Sequence, residues 1–296
     1  MPSPSTKTYE VLVVGCGLMG SALARALAQR GHHVAAWNRS PEKAEALAVA
    51  GVRAIENLDD AVRASRVILA CTSTYETTLD ALRQVAAWDD VTLVNVGTGT
   101  PDEVDAMRQW AADRGAAYLD GAILCYPQHI GTPDGLLLFS GPEEIWQLHE
   151  PVLQALGQPV HVSAQTRGAS VLDVTFAGGF YIASLVAYVE AAAYALSQGL
   201  SAAELAGISE TVVDLMRVTV PEIAQCIESG KHDTDQATIS VYSAGLVSCR
   251  DAMRSAGHEA RMLDTAAGFL GSAEAAGAGH LGFSALAAVG DRKGKS

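Results

Sequence analysis

Three glycines carry the first piece of chemistry. Gly15, Gly17 and Gly20 stand in VLVVGCGLMGSALARAL at the spacing G-x-G-x-x-G. An apolar, strand-like run precedes them and a helical pattern follows, so they fall in a strand-to-helix turn. Glycine at the first place permits the tight turn. At the second it lets the backbone approach a pyrophosphate, and at the third it lets helix pack close on strand. The helix N-terminus adds unpaired N–H groups and a positive dipole end. Leu18 and Met19, between the glycines, are expected to pack at this loop rather than react. A dinucleotide is the ligand such a turn takes. The next strand end reads WNRSPEK, where an NAD site usually places Asp or Glu for the ribose hydroxyls. Asn38 is neutral there. Arg39 suits adenine stacking and a 2′-phosphate, Ser40 adds a donor and Lys43 a second charge. The expected cofactor is therefore NADPH.

These residues need a scaffold, and the alternation of patterns supplies one. Strand patterns cover 9–15, 33–37, 66–73, 91–98 and 116–124. Helical patterns cover 18–30, a stretch from Pro41, 76–87 and 101–114. This rhythm predicts an α/β fold, a doubly wound parallel sheet with helices on both faces. Ligands bind beyond the carboxyl ends of such strands. That adds Cys71, Thr72 and Ser73, and then Asn95, Val96, Gly97 and Thr98, to the candidate cofactor residues. After about residue 165 no strand pattern follows. Residues 168–199 lack proline and predict one long helix. Helical segments follow near 202–228, 236–256, 258–276 and 280–289, with Ser201 and Glu204 placed as a capping box. The expected organisation is a Rossmann domain over 1–166, an interdomain helix over 167–199 and an all-α domain over 200–296. The tail GDRKGKS is expected to fray.

Composition narrows the partners. The net charge of −13 disfavours nucleic acid and anionic membranes. Five scattered cysteines form neither a disulfide framework nor a zinc pattern, which suits a reducing cytoplasm and a protein without metal. The opening residues do not read as a signal peptide. Residues 168–189 are apolar enough to suggest a membrane span, but they hold Asp173, several glycines and two tyrosines and lack basic flanks. The favoured reading is a helix buried in a large core or a dimer interface.

GLMGSALARAL, WNRSPEK, NVGTGTP at 95–101, DGAILCYPQHIGTPDGLLLFSG at 120–141 and AAGAGHLGFSAL at 275–286 together resemble the β-hydroxyacid dehydrogenase superfamily, which is 6-phosphogluconate dehydrogenase-like. More closely, they resemble its NADPH-dependent imine reductase branch, over nearly the whole chain. The resemblance implies an intertwined homodimer, with each active site between one subunit's Rossmann domain and the partner's helical domain. The hydroxyacid enzymes hold a lysine near the start of the interdomain helix. Here no lysine occurs between Lys43 and Lys231, and the matching position is Asp173. An acidic group beside a C=N nitrogen stabilises the iminium or supplies its proton, whereas an ammonium opposes it. The resemblance further implies Tyr181 as a proton donor. On an α-helix the two lie about 12 Å apart and diverge by about 80°, with Gly178 and Gly179 between them to permit a bend. Thr98 stands where the reductive aminase subgroup often carries asparagine. Val241 and Tyr242 are candidate pocket residues from the partner's bundle, with plain helix packing as the alternative. His129 reads as structural. The leading expectation is reduction of a cyclic imine or iminium to an amine. Two alternatives stand beside it. One is a hydroxy-acid dehydrogenase, which needs Arg167 or Arg217 as carboxylate anchor. The other is an NADPH-sensing protein without turnover.

Overall fold

A computed structural model describes residues 7–290. The tail expected to fray lies outside the described residues beyond Gly290. The chain forms two compact units, Met1–Tyr181 and Ile182–Ser296.

In the first unit β1 (Tyr9–Val14), α1 (Leu18–Gln29), β2 (Val34–Trp37), α2 (Pro41–Glu45), β3 (Arg53–Ala54), α3 (Leu58–Arg63) and β4 (Ser65–Ala70) come first. Then follow α4 (Tyr75–Leu82), β5 (Thr92–Asn95), α5 (Pro101–Ala112), β6 (Ala117–Ile123), β7 (Leu136–Ser140), α6 (Glu143–Leu153), β8 (Gln158–Ser163) and α7 (Gly168–Leu172). The eight strands make one sheet in the order β3-β2-β1-β4-β5-β6-β7-β8. Val11 pairs with Val34 on one side and Val67 on the other, so β1 is central. Its side chains alternate between two apolar layers. Val11 and Val13 join Leu23, Leu27, Phe139 and Trp146 on one face. Leu12 and Val14 join Ile68, Leu93, Trp88 and Met107 on the other. Burial on both faces is why these strands read as unbroken apolar runs.

The sheet is mostly parallel, with one antiparallel pairing. β7 runs antiparallel to β6, with Asp120 opposite Ser140 and Ile123 opposite Leu137. The strand order reverses between β1 and β4, which makes their carboxyl ends the crevice of the sheet.

The long helix departs from expectation. After α7 the backbone widens to a π-helix over Asp173–Ile182 before α8 (Ala183–Ser197) resumes α geometry. A π-helix bonds i to i+5 and is costly, and such segments gather at functional sites. Gly178 and Gly179 sit within it and supply backbone freedom. Asp173 and Tyr181 therefore share a π segment, and the spacing expected on an α-helix does not apply. The boundary of the first unit falls after Tyr181, beyond the expected residue 166.

The second unit holds α8, α9 (Ala202–Ser229), α10 (Ile239–Ser255), α11 (Arg261–Ala275) and α12 (Leu286–Gly290). The capping box forms at α9: Ser201 accepts from the Glu204 amide and Glu204 accepts from the Ser201 amide. Glu190 on α8 accepts from the amides of Arg261 and Met262 at 2.7 and 2.9 Å, closing the start of α11. The core of this unit is small: Ile239, Leu270, Ala273, Ala278 and Ala285. Val189, Ile208, Val213 and Leu215 are all more than 60% exposed. The helix Gly168–Ser197 has a mean hydropathy of 1.5 over its most apolar window, of which 11% is buried.

Candidate active site

A cleft of about 790 Å³ opens at the reversal of strand order. Gly15, Gly17, Asn38, Arg39, Ser40 and Lys43 line it from the ends of β1 and β2, and Cys71, Thr72 and Ser73 from the end of β4. Each glycine has its own reason. Gly15 has φ +99°, and a Cβ there would lie 2.4 Å from the Cys71 carbonyl oxygen. A Cβ on Gly20 would lie 1.8 Å from the Gly15 carbonyl oxygen. A Cβ on Gly17 would meet nothing within 4 Å. Two of the glycines are therefore demanded by protein packing, while Gly17 faces open space that a ligand can enter. Gly17 is also the N-cap of α1 and provides no side chain to its first N–H groups.

Asn38 proves to be a brace for the loop. Its side chain accepts from the Cys16 amide at 2.9 Å and donates to the Ser40 carbonyl at 3.0 Å. Arg39 and Lys43 are exposed, and no ion pair engages either among the described residues. Burial pushes the thiols of Cys16 and Cys71 up to about 11 and about 12, so both stay neutral beside the loop. Met19 packs against the core, and Leu18 is 85% exposed. Trp37 and the segment 56–59 also line the cleft, and sequence patterns did not single them out.

The loop after β5 behaves differently. Asn95 and Val96 are buried, and Gly97 lies with them, whereas Thr98 is exposed. None of the four lines the cleft. Asn95 instead accepts from Thr78 at 3.2 Å, and Thr78 bonds to Thr72 at 2.7 Å. Asn95 thus supports the cleft wall from behind.

On the long helix, Asp173 is half-buried, and burial raises its carboxyl above the usual range. The hydroxyls of Tyr181 and Tyr126 lie 3.1 Å apart, and this hydrogen bond raises Tyr181. Tyr126 comes from the loop after β6 and also meets the His129 ring edge-on at 6.2 Å. His129 caps the following turn through its carbonyl, which accepts from Thr132 at 2.7 Å. Val241 and Tyr242 sit on α10 of the second unit, both exposed, with Tyr242 edge-on to Phe283 at 5.4 Å. Arg167 is tied to Asp102 and, at 3.1 Å, to Asp105. Arg217 meets Asp214 at 3.2 Å. Among the described residues no three His, Cys, Asp or Glu side chains cluster as metal ligands.

One carboxylate escaped the sequence reading. Asp120 on β6 is fully buried and accepts hydrogen bonds from the Tyr75 and Tyr118 hydroxyls. Burial pushes it up to about 7. Its signal was visible as an acid inside the apolar strand AAYLDGAIL, because an unpaired Asp is almost never buried.

Residues 10–179 match the family model for the NAD binding domain of 6-phosphogluconate dehydrogenase. Residues 167–292 match that for the NADPH-dependent reductive aminase-like C-terminal domain. An NADPH-dependent reductive aminase from Aspergillus oryzae is 27% identical over 239 residues, 79% of this chain and 81% of that protein. The structure of an imine reductase from Pseudomonas sp. superposes with a TM-score of 0.89 at 29% identity, covering 95% of this chain and 99% of that one. A reductive aminase from Aspergillus terreus in complex with NADPH and ethyl levulinate gives a TM-score of 0.90 at 26% identity, covering 95% and 99%. With the glycine turn, the reversal crevice and the helical C-terminal half in place, this chain belongs to the imine reductase family and carries a dinucleotide-binding domain of the 6-phosphogluconate dehydrogenase type.

Proposed function

We propose that this protein, as a homodimer, reduces the C=N bond of a cyclic imine or iminium to an amine with NADPH. The observation that carries this reading is Asp173. A half-buried acid whose burial favours its neutral form stands where hydroxyacid dehydrogenases hold a lysine. NADPH, when bound in the cleft, supplies hydride to the imine carbon. The open side of Gly17 and the uncapped N–H groups of α1 suit its pyrophosphate. Arg39 and Lys43, free of ion pairs among the described residues, suit the 2′-phosphate, with the Ser40 hydroxyl beside them. Asp173 and Tyr181 then serve the nitrogen. Asp173 donates a proton to it or, once ionised, stabilises its positive charge, and Tyr126 orients the Tyr181 hydroxyl. A hydride at carbon and a proton at nitrogen complete the amine. The hydroxy-acid alternative loses support, because Arg167 and Arg217 are both engaged by carboxylates.

The dimer reading rests on the exposed apolar side chains of the second unit, among them Val189, Ile208, Val213 and Leu215. Asp173 and Glu190 within the long helix favour a protein partner over lipid. The free cysteines suit the cytoplasm.

The test follows NADPH oxidation with 2-methyl-1-pyrroline, beside a matched reaction of 3-hydroxyisobutyrate with NAD or NADP. The expected result is imine-dependent turnover that falls by about 10²- to 10⁴-fold in Asp173→Ala or Tyr181→Phe while NADPH still binds. Activity on the hydroxy acid alone overturns the reading. NADPH binding without turnover on either substrate points to the sensing protein.

A further inference from the structure

A short chain of hydroxyls lies behind the cleft wall. Thr78, in the first turn of α4, is fully buried and does not itself line the cleft. Its hydroxyl donates to Asn95 Oδ1 at 3.2 Å, at the end of β5. The Thr72 hydroxyl, in the loop after β4, lies 2.7 Å from that of Thr78 and 2.9 Å from the Thr74 carbonyl oxygen. Each hydroxyl has a single proton. Thr78 gives its own to Asn95, so the Thr72 proton is shared between the Thr78 oxygen and the Thr74 carbonyl. That carbonyl also accepts from the Thr78 amide at 3.1 Å, so one residue grips both Thr72 and the start of the helix. At the N-terminus of α4 the buried Tyr75 hydroxyl donates to Asp120 on β6, which anchors the helix to the sheet.

Thr72, the residue this chain holds, stands between two glycine loops. A Cβ on Gly15 would lie 3.3 Å from the Thr72 Cγ2, and a Cβ on Gly97 would lie 3.1 Å from the Thr72 carbonyl oxygen. Thr72 also lines the cleft, next to the glycine turn. In its observed χ1 well the methyl meets the turn and the oxygen points back to Thr78 and Thr74. Any other staggered well takes the oxygen off both partners and moves the methyl from beside Gly15.

We propose that Thr78 is a positioning residue for the dinucleotide: its buried hydroxyl holds the Thr72 side chain in one rotamer against the glycine turn, so the cleft is shaped before the cofactor enters. This inference rests on the reading of the cleft as the dinucleotide site and is independent of the imine reading. The gain is preorganisation. A side chain already fixed loses no freedom on binding, and a wall already in place needs no rearrangement. Without the Thr78 hydroxyl, Thr72 is released and the buried Asn95 oxygen loses its donor, so the loops after β4 and β5 both loosen at the crevice.

The experiment measures NADPH affinity by fluorescence titration in the parent, Thr78→Val, Thr78→Ser and Ser65→Ala. Ser65 is the control, because it sits at the opposite end of β4, is fully buried and donates to the Ala61 carbonyl at 2.7 Å. Its removal costs a buried hydrogen bond away from the cleft. Thr78→Val is expected to raise the Kd for NADPH about tenfold, while Thr78→Ser, which restores the hydroxyl, stays within about twofold of the parent. Ser65→Ala is expected to lower the melting temperature and leave the Kd unchanged. In the cofactor-free protein, amide exchange over 71–74 and 95–98 is expected to speed up in Thr78→Val and not in Ser65→Ala. Thr78→Ala, which leaves room for water beside the Asn95 oxygen, is read in the same way if Thr78→Val does not fold. Parent-like affinity in the folded Thr78 variant overturns the proposal, and so does an equal loss in Ser65→Ala, which would reduce Thr78 to general stability. A parent that binds no dinucleotide removes the reading of the cleft and this proposal with it. A parent that binds NADPH beside a Thr78 variant that binds it equally well removes this proposal alone.

Discussion

The sheet of the first unit closes its apolar surface on itself, and the helical unit does not. Both faces of the sheet end in continuous buried layers, with Leu12, Leu23, Leu69 and Phe139 entirely inaccessible. The helical unit buries little more than Ile239, Leu270, Ala273, Ala278 and Ala285 as its own core, while Val213, Leu215 and Phe269 stay more than 60% exposed. Equal hydrophobicity thus has two meanings in one chain. In the sheet it specifies an interior. In the long helix it leaves an exposed apolar surface, which supports the proposed dimer. The dinucleotide cleft lies entirely within the self-sufficient unit, so cofactor binding and turnover should respond to different substitutions.

The largest expected effect breaks the first unit from within. Gly20→Ala forces a Cβ onto the Gly15 carbonyl, and the loop or helix must move. We expect a loss of about 3 kcal/mol or more, with NADPH binding abolished in a fluorescence titration. Next comes a pair of surface charges. Val189 on α8 is 65% exposed and Val49 in the first unit is 94% exposed. Val189→Asp should weaken the proposed dimer by roughly a hundredfold or more, since an unpaired buried charge costs about 3–5 kcal/mol. Val49→Asp should leave it intact, and light scattering separates the two. A smaller effect tests cofactor choice. Arg39→Ala removes a charge-assisted contact of about 1.5–3 kcal/mol, so NADPH affinity should fall at least tenfold while NADH affinity stays the same.

Stability against pH sharpens the comparison further. Asp120 titrates near 7 in the folded chain and near 3.8 unfolded. Between these values the folded state binds more protons, so this group's contribution is full below about pH 4 and is lost as pH rises through 7. Melting of the first unit should therefore fall across that window, and Asp120→Asn should flatten the slope. The smallest effect belongs to the second unit. Ser201→Ala removes the capping box of α9 and should cost about 1 kcal/mol in a denaturant melt.

How much of this was legible depended on whether the cause was local. Gly15, Gly17 and Gly20 were readable from their spacing in one turn, although the carbonyl that bars a Cβ at Gly15 belongs to Cys71 at the end of β4. The WNR segment and the Ser201–Glu204 cap were local too. β7 was missed as an element, because its partner β6 sets its direction and the pattern around LLLFS does not. The inward turn of Asn95 depends on Thr78, a residue on another element. The π segment was hidden for a different reason. Polarity patterns report which face is apolar, not which carbonyl each amide chooses, and only the pair Gly178–Gly179 hinted at a change.

The most direct test of the central contrast uses the Val189→Asp protein as a monomer. NADPH binding is titrated by fluorescence, and turnover of 2-methyl-1-pyrroline is followed in the same sample. The account predicts cofactor affinity within a factor of two of the parent and imine turnover reduced to background. A monomer that reduces the imine at the parent rate would contradict it, because the exposed helical surface would then have no part in the site.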